Sequence, residues 1–354
     1  MFSKRFSNLT PYVPGEQPRD KQYIKLNTNE NPYPPSPGTE ELLHNVNIDE
    51  LRLYPDPTAE TLRKRIGELY GLGTEAVFVG NGSDEVLSFC FYLFFDSAYG
   101  KLLFPEHTYS FYPVYCDFYG IEYAKVPMKD DLSIDLQAFL DAPPPCGIIF
   151  PNPNAPTGMF LAIDEISGFL SSVPGEMPVI IDEAYIAFGG TSAAPLLADH
   201  PNLLIVNTFS KSMSLAGIRL GYALAAPRLI EALFTVKDSF NSYPVNRLTQ
   251  KLGETALEEQ NYYHDINSKI MVARERTVTE LSSAGWKVFP SKANFILAGK
   301  PGIPGGTIYR QLKQKGILVR WFDKEGIRDY VRITIGRKEE MGFFLEKVNE
   351  LFGV

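Results

Sequence analysis

Cysteine is scarce in this 354-residue chain, and Cys90, Cys116 and Cys146 stand in dissimilar contexts with no C-x-x-C pair. A disulfide framework and a structural zinc site are therefore not expected. Histidine is also thin, and His44, His107, His200 and His264 show no ligand spacing, so no metal is expected. No stretch approaches the roughly 20 apolar residues that a membrane span needs. The first residues, MFSKRFSNLTPYVPGEQPRD, lack the apolar core of a signal peptide. The expectation is a cytoplasmic protein with no membrane partner. Basic residues do not dominate either: 34 Lys and Arg face 42 Asp and Glu, a net charge of -8. That balance argues against a nucleic-acid partner, because such proteins concentrate cations on the phosphates they neutralise. Internal repeats and low-complexity tracts are missing as well.

What is present is an ordinary globular composition, 44% hydrophobic and 21% charged. The length exceeds the roughly 250–300 residues at which one core stops growing, so a large and a smaller domain are expected. Residues 1–40 are rich in Pro, Asn and Gly and read as an extended arm, rather than a packed element, that joins the smaller domain. From 41 to 245, short runs such as VFVG, KLLFP, GIIFPNP, PVIIDEAY and LLIVNTFS alternate with longer segments. Their near-continuous apolar character predicts strands of a mostly parallel sheet covered by helices on both faces, an α/β fold. From 246 to 354, one long charged helix (RLTQKLGETALEEQNYYHDINSKIMVARERTVTELSSAG), the runs WKVF and ANFILA, a helix at GTIYRQLKQKG and the strand YVRITIG predict a smaller α+β domain.

Three segments carry chemistry. In Thr208-Phe209-Ser210-Lys211-Ser212, a strand delivers a lysine to a loop of small hydroxyl residues, and Arg219 follows. A lysine amine attacks a carbonyl when desolvation or a nearby cation lowers its pKa. Arg219 could grip an anion bidentately, with Thr208 and Ser210 adding donors. A lone Ser-Lys pair is ordinarily just a surface lysine. Upstream, however, PVIIDEAY places Asp182 at the carboxyl end of a buried strand, where open α/β sheets bind ligands and where a carboxylate needs a cation. Tyr185 follows three residues later. The blander reading makes Asp182 a helix cap and Tyr185 a core residue. Third, GNGSDE opens an apolar helix after the strand VFV, a turn that brings backbone N–H groups and the helix dipole to a phosphate. It matches neither dinucleotide nor Walker spacing.

In their order, GNGSDE, PNPNAPTG, DEAY and FSK with an arginine eight residues on resemble the class I/II aminotransferases, enzymes of pyridoxal-phosphate (PLP) fold type I. The resemblance runs from PYVPGEQP through KLNTNENPYPPSP and LRLYPDP to YVRITIG. It implies pyridoxal 5'-phosphate as cofactor, Lys211 as the Schiff-base lysine, Asp182 as partner of the ring nitrogen and Tyr185 as contact to the ring oxygen. Tyr109 would stack on the ring. Main chain of Ser83 and Asp84, with Ser210 and Arg219, would hold the phosphate. Tyr54 would reach the cofactor phosphate of a neighbouring subunit, which implies a homodimer. One position departs from the family: the Asn that usually precedes Pro-Thr-Gly and meets the ring oxygen is Ala155, so Asn154 or Tyr185 alone is expected to take that contact.

The implied reaction is a ping-pong transamination in which the freed Lys211 moves a proton as base and acid. By the same resemblance Arg320 and Arg332, assisted by Tyr12, bind the phosphate of a phosphorylated amino donor and the carboxylate of glutamate or 2-oxoglutarate. Either arginine could instead form a surface ion pair, and Arg328 is a further candidate. An aromatic or broad-range aminotransferase, a phosphothreonine decarboxylase and a PLP-sensing regulator domain share this fold. No helix-turn-helix precedes the domain here, which speaks against the last.

Overall fold

The computed structural model describes Phe6 and residues 9–353, so the first part of the predicted arm lies outside the described residues. After the two-residue strand β1 (Ile24–Lys25) come β2 (Val77–Gly80), β3 (Leu102–Pro105), β4 (Tyr123–Val126), β5 (Gly147–Pro151), β6 (Val179–Asp182), β7 (Leu203–Thr208) and β8 (Gly221–Ala225). The last seven form one sheet in the order β2-β8-β7-β6-β5-β3-β4. Only β8 runs antiparallel to its neighbours; the other pairs are parallel. The α/β fold with a mostly parallel sheet is thus as expected.

Helices α1 (Pro37–His44), α2 (Glu60–Tyr70), α3 (Ser83–Phe94), α4 (Tyr112–Tyr119), α5 (Leu136–Leu140), α6 (Ile163–Ser172), α7 (Pro227–Phe240), α8 (Arg247–Glu258) and α9 (Gln260–Ser283) fill the connections. Because successive strand residues face opposite sides, Val179 and Ile181 join one core with Leu62 of α2 and Phe169 of α6. Ile180, between them, joins the other core with Phe91 of α3 and Leu233 of α7. Burial on both faces is the physical reason the strands read as unbroken apolar runs.

Four antiparallel strands follow: β9 (Lys287–Val288), β10 (Phe295–Gly299), β12 (Arg320–Trp321) and β13 (Val331–Thr334), in the order β12-β13-β10-β9. Between them in sequence, β11 (Ile317–Leu318) pairs in parallel with β1. With α10 (Gly305–Gln314) and α11 (Lys338–Phe352) they enclose a third core around Ile296, Ile333 and Phe344.

Two expectations are corrected. The predicted single charged helix is two helices, broken at Glu259. There the Glu259 carboxylate accepts the backbone N–H of Gly38 at 3.2 Å, a remote contact that no helical periodicity announces. Nor is the arm extended throughout. From Ile24 onward it is packed, with Leu26, Asn27 and Asn29 each 1% exposed. Leu26 enters the third core, and burial of a leucine side chain contributes roughly 1.5–3 kcal/mol.

Candidate active site

The carboxyl ends of β5, β6 and β7 and the turn from β2 into α3 converge on a cavity of about 190 Å³, the edge where open α/β sheets bind ligands. Asp182 ends β6 and is 6% exposed. Its Oδ1 accepts the Ala184 N–H at 3.1 Å, and its Oδ2 accepts the Tyr112 hydroxyl at 3.3 Å. Burial pushes its pKa up to about 6 despite these donors. A carboxylate so placed is stabilised by a cationic ligand.

Lys211 lies three residues past β7. Its Nζ donates to the Thr28 carbonyl at 3.4 Å and sits 5.8 Å from the centre of the Tyr185 ring. The Asn31 amide donates to the Lys211 carbonyl at 3.0 Å, which ties the arm to the lysine loop. Tyr185 packs edge-on against Phe295, and its hydroxyl accepts from Asn29 Nδ2 at 3.0 Å.

At the other end of the cavity the backbone is shaped for an anion. Gly82 caps α3 at φ 84° with no side-chain cap, and a Cβ there would stand 2.5 Å from Arg219 Nη2. A Cβ on Gly221 would come within 2.2 Å of the Ser83 nitrogen, so β8 and the turn touch backbone to backbone. Arg219, itself left-handed at φ 56°, pairs with Asp84 at 2.9 Å. Tyr109 donates to the same carboxylate at 2.8 Å, and burial pushes the Tyr109 hydroxyl well above its usual pKa. A helix N-terminus and a guanidinium on one wall suit a phosphate. Ser83 and Ser210 line this end; Thr208 does too, but its hydroxyl donates to the Leu220 carbonyl and accepts the Ser210 N–H.

A second cavity of about 220 Å³ shares Thr28, Tyr109, Ala155, Tyr185 and Lys211 with the first and adds Tyr12, Arg320 and Arg332. Arg332 stacks over Phe295 and Phe322 and donates one Nη2 bond to the Asn27 carbonyl. Its buried Nε has no partner among the described residues. Burial holds its pKa below the ordinary arginine value. Arg320 donates to the Val13 and Pro14 carbonyls, so it holds the arm over this cavity.

The structure thus gathers Ser83, Asp84, Tyr109, Asp182, Tyr185, Thr208, Ser210, Lys211 and Arg219 at one cavity and Tyr12, Arg320 and Arg332 at the next. Three candidates fall elsewhere. Asn154 is fully buried behind Ala155, its amide donating to the His107 carbonyl and to Thr157 Oγ1, while Ala155 lines the cavity. Tyr54 is 78% exposed and stacks on Tyr243, outside both linings. Arg328 faces Asp323 at 3.8 Å. Sequence reasoning assigned no role to Asn29, Asn31 or Tyr112. The motifs NTNEN and HTYSFY contain them, but nothing local shows that they reach Tyr185, Lys211 and Asp182. No cluster of three or more metal-ligating side chains occurs among the described residues.

A family model described as aminotransferase class I and II matches residues 21–348. The chain is 56% identical to a histidinol-phosphate aminotransferase of Syntrophus aciditrophicus (strain SB), covering 99% of this chain and 98% of the relative. It is 49% identical to the enzyme of that name from Chromohalobacter salexigens, over 98% and 97% of the two chains. Among solved structures, the histidinol-phosphate aminotransferase from Sinorhizobium meliloti in complex with pyridoxal-5'-phosphate superposes with a TM-score of 0.87 at 23% identity, covering 99% and 97%. That last likeness shows the fold.

Proposed function

Because the chain belongs to the aminotransferase class I and II family, we propose that it transfers the amino group of L-histidinol phosphate to 2-oxoglutarate. The products are imidazole-acetol phosphate and glutamate, a transamination of histidine biosynthesis. The observation that carries this reading is a lysine amine and a buried carboxylate in one cavity, continuous with a second that holds an arginine N–H lacking a partner among the described residues.

The cofactor is pyridoxal 5'-phosphate, and the donor set fits it. The carboxylate of Asp182 matches a protonated ring nitrogen. Arg219, the α3 N-terminus and Ser210 match the phosphate, Tyr185 the ring oxygen, and the Lys211 amine the aldehyde. When bound, the cofactor supplies an electron sink for the charge left as a proton departs from the amine-bearing carbon. Asp182 would keep the proton on the ring nitrogen, and Tyr109 would pack on the ring. The Lys211 amine would attach the cofactor and, when free, would take up a proton from the substrate carbon and return it. Arg332, with Arg320 and Tyr12, holds the donor's phosphate in one half reaction and the acceptor's carboxylate in the other, so the kinetics are ping-pong.

The exposed apolar residues Ile48, Leu51, Leu53 and Tyr54 support a homodimer in which Tyr54 completes the neighbour's phosphate site. Three buried free thiols support a reducing cytoplasm, and no described helix is long and apolar enough to cross a membrane. The test is single-turnover loss of visible cofactor absorbance with histidinol phosphate, phenylalanine or phosphothreonine. The fastest loss is expected with histidinol phosphate. A preference for phenylalanine overturns the substrate assignment, and carbon dioxide release from phosphothreonine without 2-oxoglutarate overturns the reaction.

A further inference from the structure

Ala155 has no polar side-chain atom to offer the cavity, and Asn154 is turned away from it. Tyr185 is left as the hydroxyl donor for a ring oxygen, and the direction of its hydrogen bonding becomes decisive. A phenol has one proton to give. Asn29 Nδ2, 3.0 Å away, carries only hydrogens, so Tyr185 accepts from it and keeps its own proton for the cavity.

The other end of the amide sets this orientation, because turning it would leave the proton of the buried Thr334 hydroxyl with no acceptor among the described residues. Asn29 Oδ1 accepts the Thr334 hydroxyl at 3.0 Å, and that hydroxyl in turn accepts the Asn29 backbone N–H at 3.0 Å. The Asn29 carbonyl accepts from Asn294 Nδ2 at 3.1 Å. All four polar groups of Asn29 are thus engaged, at a left-handed φ of 55° that Asn tolerates better than most residues.

We propose that Asn29 is a positioning residue that sets the polarity of the Tyr185 hydroxyl, so that its proton is donated into the cofactor cavity. The proposal rests on the PLP reading above. It assigns to the arm, through Thr334 of β13, the role that the amide lost at Ala155 would otherwise share.

The test is a pH titration of the visible absorbance of the PLP-reconstituted protein, for wild type, Asn29→Asp, Tyr185→Phe and the double variant. Asp preserves size and left-handed tolerance but presents an acceptor, which draws the Tyr185 proton away from the cavity. A donor to the ring oxygen lowers the proton affinity of the attached cofactor, so losing it raises the titration midpoint. Each single variant is expected to raise the midpoint by about one unit, and the double variant no further than Tyr185→Phe alone. The charged groups that line the two cavities with Tyr185, namely Glu30, Asp84, Asp182, Lys211, Arg219, Arg320 and Arg332, are the same in all four proteins, and the carboxylate of Asn29→Asp is the one charge added.

An unmoved midpoint in Asn29→Asp overturns the proposal. So does an equal rise in the Tyr185→Phe background, because the new carboxylate would then act through its charge. If Asn29→Asp does not fold, Thr334→Val frees the amide to turn and is expected to raise the midpoint in the same direction; no change overturns the proposal. A wild-type protein that develops no visible band would instead defeat the cofactor reading.

Discussion

Asp182 and Glu183 are adjacent buried acids with opposite duties. Asp182 opens onto the cofactor cavity, whereas Glu183 is fully enclosed, accepting the Ser192 hydroxyl at 2.6 Å and the Ala193 N–H at 2.7 Å. Burial pushes Glu183 up to about 7 from 4.5. The folded protein therefore binds this proton more tightly than the unfolded chain. The resulting stability is full below pH 4.5 and is lost as pH rises through about 7, with an upper bound of roughly 3 kcal/mol. Glu183→Gln imitates the protonated acid, so denaturant melts between pH 5 and 8 should show a flatter stability profile than wild type. At Arg332 the expected effect is on rate. Arg332→Gln should lower kcat/KM by about 100-fold for both the donor and 2-oxoglutarate, measured in each half reaction. A loss confined to one substrate would contradict a shared anion site. Lys211, Asp182 and Tyr185 were legible because each lies at or just past the end of a buried strand, where an isolated polar residue stands out. Asn154 was not, because it and Ala155 stand at a turn after β5, and only the fold shows which of the two faces the cavity. Asn29 was hidden for another reason: its partners Tyr185 and Thr334 lie 156 and 305 positions away.

Elements built on local patterns were the most legible. Apolar runs marked β5, β6 and β7 because sheet burial leaves no polar face to interrupt them. The break between α8 and α9 and the pairing of β1 with β11 were not legible. One depends on Gly38 meeting Glu259, and the other joins two residues to two. The turn from β2 into α3 is the element most sensitive to a single methyl group. Gly82→Ala would force a side chain into a left-handed backbone and press it against Arg219. The expected cost is about 1 kcal/mol in stability and at least a tenfold loss of PLP affinity. Fluorescence titration of the apoprotein with PLP measures the second, and unchanged affinity would remove this turn from the phosphate site.

At the scale of the whole molecule, the dimer proposal makes a quantitative demand. If Tyr54 serves the neighbouring subunit, Lys211→Ala and Tyr54→Ala proteins are each impaired, yet an equal mixture re-equilibrated into mixed dimers regains about a quarter of wild-type activity. If Tyr54 serves its own subunit, mixing restores nothing. Apolar exposure at Ile48, Leu51 and Leu53 pointed to this surface only once the fold had shown which apolar side chains are not in a core. The pairing of β1 with β11 also bears on synthesis. A ribosome releases Ile24 early, but its partner Ile317 and the Thr334 hydroxyl that steadies Asn29 emerge near the end. The seven-stranded sheet can collapse while translation continues, so nascent chains arrested near residue 300 should resist protease across that sheet and still fail to retain the coenzyme.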